Sequence, residues 1–90
     1  MTISLHLIPQ FQPNDVLECI EAKHVGEWCV VNYEDEGYPG IITEVQEKIV
    51  KVKCMHRNGI NKFFWPSPRE DITWYADRQI VCLIPEPQVL

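Results

Sequence analysis

Nowhere does the sequence hold the run of about 18 consecutive apolar residues that a membrane-spanning helix requires. The N-terminal stretch from Met1 to Pro9 has no basic region ahead of its apolar residues, and Ser4 and His6 interrupt them, so a signal peptide is not expected. There is no C-x-x-C pair, no G-x-S-x-G, no H-E-x-x-H and no glycine-rich phosphate loop. These absences remove the usual signs of a zinc knuckle, a serine hydrolase, a metalloprotease and a nucleotide site. The three histidines, His6, His24 and His56, lie beside no nucleophile pattern, and a lone histidine in a turn is ordinarily a turn residue. Internal repeats and low-complexity tracts are missing too. The chain is therefore expected to be no enzyme, with no catalytic residue, no cofactor and no metal.

What is present suits one small domain. At 90 residues a chain buries about 60–65% of its unfolded surface, and 46% apolar with 10% aromatic content supplies a thin core. Of the four cysteines, Cys29, Cys54 and Cys82 sit inside apolar or alternating runs, where a free thiol acts as a small hydrophobe; Cys19 lies outside them. With no secretory signal, reduced thiols and an intracellular location, nuclear or cytoplasmic, are expected. Charge is segregated. Residues 1–47 carry nine acids and one lysine, and residues 48–90 carry four acids and seven bases. A fold built this way presents an acidic region and a basic one.

The period of the apolar residues points to strands. Residues 1–13 read as an edge strand or arm, with Ile3, Leu5 and Leu7 alternating with Ser4 and His6. Asn14 is a good N-cap for a short helix ending near His24. Strands are then expected over 27–34, 38–45, 49–55 and 80–84, with shorter ones around Lys62–Trp65 and Ile72–Tyr75. In the clearest of them Val50, Val52 and Cys54 alternate with Lys51 and Lys53, which puts the lysines on the outer face. Glu34-Asp35-Glu36-Gly37 is expected to turn on Gly37, and His56-Arg57-Asn58-Gly59 to turn on its Asn-Gly pair. Pro39 suits a strand start or an edge. Residues 76–79 read as one helical turn. The expected fold class is mainly β: a small five-stranded barrel over residues 25–84, with an arm or short helix over 1–24 and a tail over 85–90.

The order of these pieces resembles a Tudor domain, an SH3-like barrel. The likeness runs through Val25-Gly26, the strand ending at Tyr33, the acidic turn 34–37, Tyr38-Pro39, the β-branched strand 50–55 and Asp77–Ile80. It covers residues 25–84. Tudor-type readers hold a methylated lysine or arginine among aromatic rings, because a methylammonium is cationic yet poorly hydrated. The resemblance places two cage walls on Tyr33 and Tyr38. It places the next two on Met55 and Asn58, which are not aromatic, so it implies weak binding of a methylated side chain, worse than about 100 μM. Phe63 or Trp65, from the long excursion 56–71, are candidates to complete the site, and Glu34 and Asp35 would draw a Lys- or Arg-rich peptide toward it.

Two functions from different classes follow. The first is a non-catalytic reader of protein or peptide ligands in a chromatin- or RNA-related assembly. The second is a nucleic-acid module in which Lys48, Lys51, Lys53, Arg57 and Lys62 contact the backbone while Phe63 and Trp65 stack on bases. A pI near 5.0 weighs against the second. A structural barrel docked within a larger protein is the third alternative.

Overall fold

A computed structural model describes residues 2–4, 20–60 and 62–87. Eight strands build it: β1 (Thr2–Ser4), β2 (Trp28–Tyr33), β3 (Glu36–Gln46), β4 (Ile49–Cys54), β5 (His56–Arg57), β6 (Lys62–Phe64), β7 (Asp71–Ala76) and β8 (Ile80–Ile84). Five form one antiparallel sheet in the order β7-β4-β3-β2-β8, and β1-β6-β5 form a small second sheet. Three-residue 3-10 turns occupy Ala22–His24 and Asp77–Gln79. Where a helix ending near His24 is expected, the described part is thus a single tight turn; the remainder of that expectation, including Asn14, lies outside the described residues. Among the described residues no helix is long and apolar enough to cross a membrane.

The expected closed barrel is not formed. β7 and β8 are the two free edges of the large sheet. The sheet is nonetheless strongly curled. Four Cα steps from Ala76 to Ile80 span at most about 14 Å, whereas the outer strands of a flat five-stranded sheet lie about 19 Å apart. Two irregularities provide the bend: the β3–β4 register slips at Thr43, and the β2–β8 register slips between Val30 and Val31. The 3-10 turn that crosses the open seam is pinned at both ends. Asp77 N–H donates to Lys48 O (2.9 Å), Ala76 N–H to Gln79 Oε1 (2.9 Å), and Gln79 Nε2 to Asn32 O (3.3 Å).

Inside the curl, Cys29, Val31, Ile42, Val50, Val52 and Cys54 pack together, all 3% exposed or less. Ile20 and Ile80 seal this core, so residues next to the arm pack on the sheet. The expected parity of β4 holds: Val50, Val52 and Cys54 are buried while Lys51 and Lys53 take the other face. A second cluster centres on Met55 and Phe63, with Trp28, Tyr38, Trp65 and Ile84 against it.

The β2–β3 hairpin is tighter than the sequence suggested. Tyr33 pairs with Glu36, leaving a two-residue turn in which Glu34 and Asp35 both have positive φ, 51° and 64°, while Gly37 lies within β3. Left-handed backbone at a non-glycine residue costs about 1–2 kcal/mol, so this turn is strained where a glycine could sit. Asp35→Gly is expected to stabilise the domain by about 0.5–1 kcal/mol, read as a rise in thermal midpoint; an unchanged or lower midpoint would contradict the turn geometry. Pro39 also departs from expectation, because β3 begins at Glu36 and Pro39 is fully buried opposite Val30. It is tolerated because the β4 ladder starts only at Gly40–Cys54, while Pro39 contributes its carbonyl to Met55 N–H (2.9 Å).

Cys29 and Cys54 are buried free thiols. Burial, reinforced by Cys54 and then Cys82, pushes the Cys29 thiol up to about 12 from its usual 9.0. The folded protein therefore keeps a proton that the unfolded chain releases above pH 9. This contribution to stability is complete below about pH 9 and falls as pH rises toward 12. Chemical unfolding at stepped pH should show that decline, and native Cys29 should resist iodoacetamide at pH 8 until denaturant is added. Rapid native alkylation of Cys29 is the opposing result.

Candidate functional site

The concave face of the curled sheet opens at one end into a cleft of about 480 Å³. Strand pairing determines which side chains reach it, because residues opposite one another on neighbouring strands share a face. Tyr38 sits opposite Val31, and on β7 the residues Asp71, Thr73 and Tyr75 sit opposite Cys54, Val52 and Val50. Every second residue of β7 thereby shares the cleft side with the core residues of β4, Thr73 exposed there and Asp71 and Tyr75 half-buried. Tyr33, the last residue of β2, stands at the rim and is 50% exposed. Three tyrosines from three strands, Tyr33, Tyr38 and Tyr75, thus line one cleft, with Met55 in its wall at 1% exposure.

Polar groups are set between these rings. Asp71 Oδ2 lies 2.9 Å from His56 Nε2, and Asp71 Oδ1 accepts from the Thr73 hydroxyl (3.2 Å). The Cys54 thiol donates to the Tyr75 hydroxyl oxygen (3.5 Å). Burial chiefly, then Cys54, Asp71 and Tyr33, pushes the Tyr75 phenol up. Burial likewise raises the Cys54 thiol, with Asp71 adding to the effect and the Tyr75 hydrogen bond opposing it. A thiol held in its protonated form is a poor nucleophile. Tyr38 donates to Glu36 Oε2 (2.8 Å), and this bond is the main reason its phenol is raised. Arg57 completes the wall. Its guanidinium carbon lies 5.5 Å from the Tyr38 ring and 5.0 Å from the Phe63 ring, and Nη2 donates to Gly37 O (3.0 Å). Rings, a carboxylate and a guanidinium around an open cleft suit recognition of a polar or charged side chain.

Of the residues expected from the sequence to bind a peptide ligand, Tyr33, Tyr38 and Met55 meet in this cleft. The others do not line it. Glu34 and Asp35 form the tip of the hairpin, and Asn58 is exposed in the turn of the next hairpin, where its N–H donates to Lys62 O (2.7 Å). That turn starts at Asn58, since His56 and Arg57 already pair with Phe64 and Phe63. Phe63 is wholly buried and is a core residue. Trp65 packs against Trp28, the ring centres 5.5 Å apart and the planes tilted by 44°.

The basic residues do not form one patch either. Arg57 lines the cleft, whereas Lys51 and Lys53 lie on the opposite face of β4, over the rings of Trp74 (5.7 Å) and Trp65 (4.8 Å). Lys53 is also paired with Glu70. Lys48 is in the β3–β4 turn and Lys62 at the exposed start of β6. Tyr75, Asp71, Thr73 and His56 were not anticipated as site residues. The signal for the first three was available: once β4 has its parity, pairing with β7 assigns theirs. Among the described residues no group of three or more His, Cys, Asp or Glu side chains is placed to hold a metal ion. No protein-family model, curated protein or solved structure matches the chain.

Proposed function

We propose that the chain is a non-catalytic binding module of the Tudor-like, SH3-like barrel kind, which takes a cationic side chain of a protein or peptide ligand into the concave cleft. A chromatin- or RNA-related assembly is the setting this reading implies. Two features support the fold assignment: a four-strand antiparallel meander, β2-β3-β4-β7, and a 3-10 turn that returns β8 to pair with β2. The observation that carries the function is the meeting of Tyr33, Tyr38 and Tyr75 around one opening beside the Asp71 carboxylate. Ring faces attract a poorly hydrated cation, and a carboxylate at the edge offsets part of its lost hydration. Tyr75 supplies a third ring where the sequence pattern offered only Met55 and Asn58.

A second reading rests on the opposite face, where Trp74 is 36% exposed and Lys51 lies over its ring, a pairing that suits a stacked single-stranded base. One titration separates the two. Amide and aromatic NMR shifts are followed with methylated and unmethylated Lys and Arg peptides and with a short single strand. Shifts at Tyr33, Tyr38 and Tyr75 with the methylated peptides are expected. Shifts confined to Lys51, Lys53 and Trp74, seen with the single strand alone and weakening steeply with salt, would replace this reading by the second.

A further inference from the structure

Deepening that reading of the cleft as a site for cations, we infer that Arg57 is the cleft's own resident cation, lying on the face of Tyr38 where a ligand cation would otherwise sit. It sets the strength and selectivity of the site, because a ligand reaching Tyr38 must displace it. The guanidinium is held against two rings, Tyr38 at 5.5 Å and Phe63 at 5.0 Å, by a hydrogen bond to Gly37 O, and by its interaction with the Tyr38 hydroxyl, where it opposes the upward shift of that phenol. These are contacts that a weakly hydrated planar cation makes well. Its Nε–H, however, is buried with no acceptor among the described residues. A buried donor without an acceptor is costly, so the stacked pose is favourable in its ring contacts and unfavourable at Nε.

The backbone beneath Arg57 is fixed, since it pairs with Phe63 across β5 and β6. The side chain alone can therefore leave the stack for solvent without disturbing the sheet. While Arg57 is in place, Tyr38 is taken, and the rings open to an incoming cation are Tyr33 and Tyr75, on the side of Asp71. A second positive charge over Tyr38 would meet both steric exclusion and like-charge repulsion. The cleft consequently disfavours small isolated cations. It favours ligands whose other contacts are strong enough to expel the arginine.

The test uses N-acetyl-trimethyllysine amide as probe, titrated into the wild type and into Arg57→Gln and followed by NMR. Arg57→Gln is expected to bind the probe about five- to tenfold more tightly, the size of one competing cation–π contact. In the wild type, the Arg57 Nε–H signal is expected to exchange slowly when free and quickly once the probe saturates. Equal or weaker binding by Arg57→Gln, with Tyr33 and Tyr75 still perturbed, overturns the inference and leaves the cation-reading cleft intact. No perturbation of Tyr33, Tyr38 or Tyr75 in either protein overturns the reading of the cleft, and the inference with it. If Arg57→Gln fails to fold, the wild-type Nε–H decides: release on saturation supports displacement, and an unchanged, slowly exchanging signal at saturation overturns it.

Discussion

Replacing Gly40 with alanine should lower the unfolding free energy by about 2–3 kcal/mol, the upper range for forcing extra volume into a packed interior. A Cβ at this position would lie 2.6 Å from Val52 Cγ1, 2.7 Å from Lys53 O and 3.2 Å from Cys54 Cα. Two of these three atoms are backbone of the neighbouring strand, and Val52 is fully buried, so none can swing aside cheaply. Relief requires β3 and β4 to separate where their ladder begins. A domain of this length has about 5–13 kcal/mol of stability in all, and each kcal/mol moves the midpoint by about 4–8 °C. A fall of roughly 10–20 °C is expected. Gly59 is the control: it is tolerant of a Cβ in space, with Lys62 Cδ at 3.9 Å, but has φ +97°, so Gly59→Ala should cost only the backbone strain of about 1–2 kcal/mol. Should Gly40→Ala melt no lower than Gly59→Ala, the close approach of β3 to β4 is wrong. Met55 N–H bonds to Pro39 O next to that approach, and Tyr38 packs on the Met55–Phe63 cluster, so the same variant should also disturb the cleft.

How far the sequence could be read differs from one element to another, and the differences are physical. The alternation in 49–55 was unambiguous because lysines cannot share a dry core with Val50 and Val52, and Ile80–Ile84 is bounded as expected by a helical turn and a proline. The acidic turn misled because the four turn-formers in a row, Glu34 to Gly37, do not reveal which two adopt positive φ. Gly37 is the obvious candidate, yet the Val31–Tyr38 pairing leaves only Glu34 and Asp35 outside the ladder. β7 was the larger omission. Its apolar residues Ile72 and Trp74 invite an inward reading, but the register with β4 turns them outward, 43% and 36% exposed, and puts Tyr75 against the core and the exposed Thr73 on the cleft side. That register is a tertiary property, legible only after β4 and β7 are known to be neighbours. The same holds for Arg57, which sequence alone groups with Lys51 and Lys53. Hairpin pairing carries it into the cleft instead, while the lysines stay on the opposite face.

Tyr33→Ala is expected to weaken binding of a trimethyllysine peptide by about tenfold, within the range of one aromatic wall of a cation site, with little change in thermal midpoint. Tyr38→Ala does not serve the same purpose. Tyr38 is half-buried against the Met55–Phe63 cluster, donates to Glu36 and lies under Arg57. Removing it opens a cavity and frees the arginine together, so Tyr38→Ala should lose about 2–4 kcal/mol and cannot separate binding from folding. Tyr33 is 50% exposed and belongs to neither buried cluster, so its truncation should cost about 0.5 kcal/mol or less. Its ring stands where a ligand would enter, beside Tyr75 and within reach of the Asp71 carboxylate's field. Paired measurements decide the matter: a dissociation constant by NMR titration, and a midpoint by calorimetry. Weakened binding at an unchanged midpoint places the ligand in the cleft. Unchanged binding in Tyr33→Ala, at an unchanged midpoint, removes Tyr33 from the site and shifts the search to Trp74 and Lys51 on the opposite face.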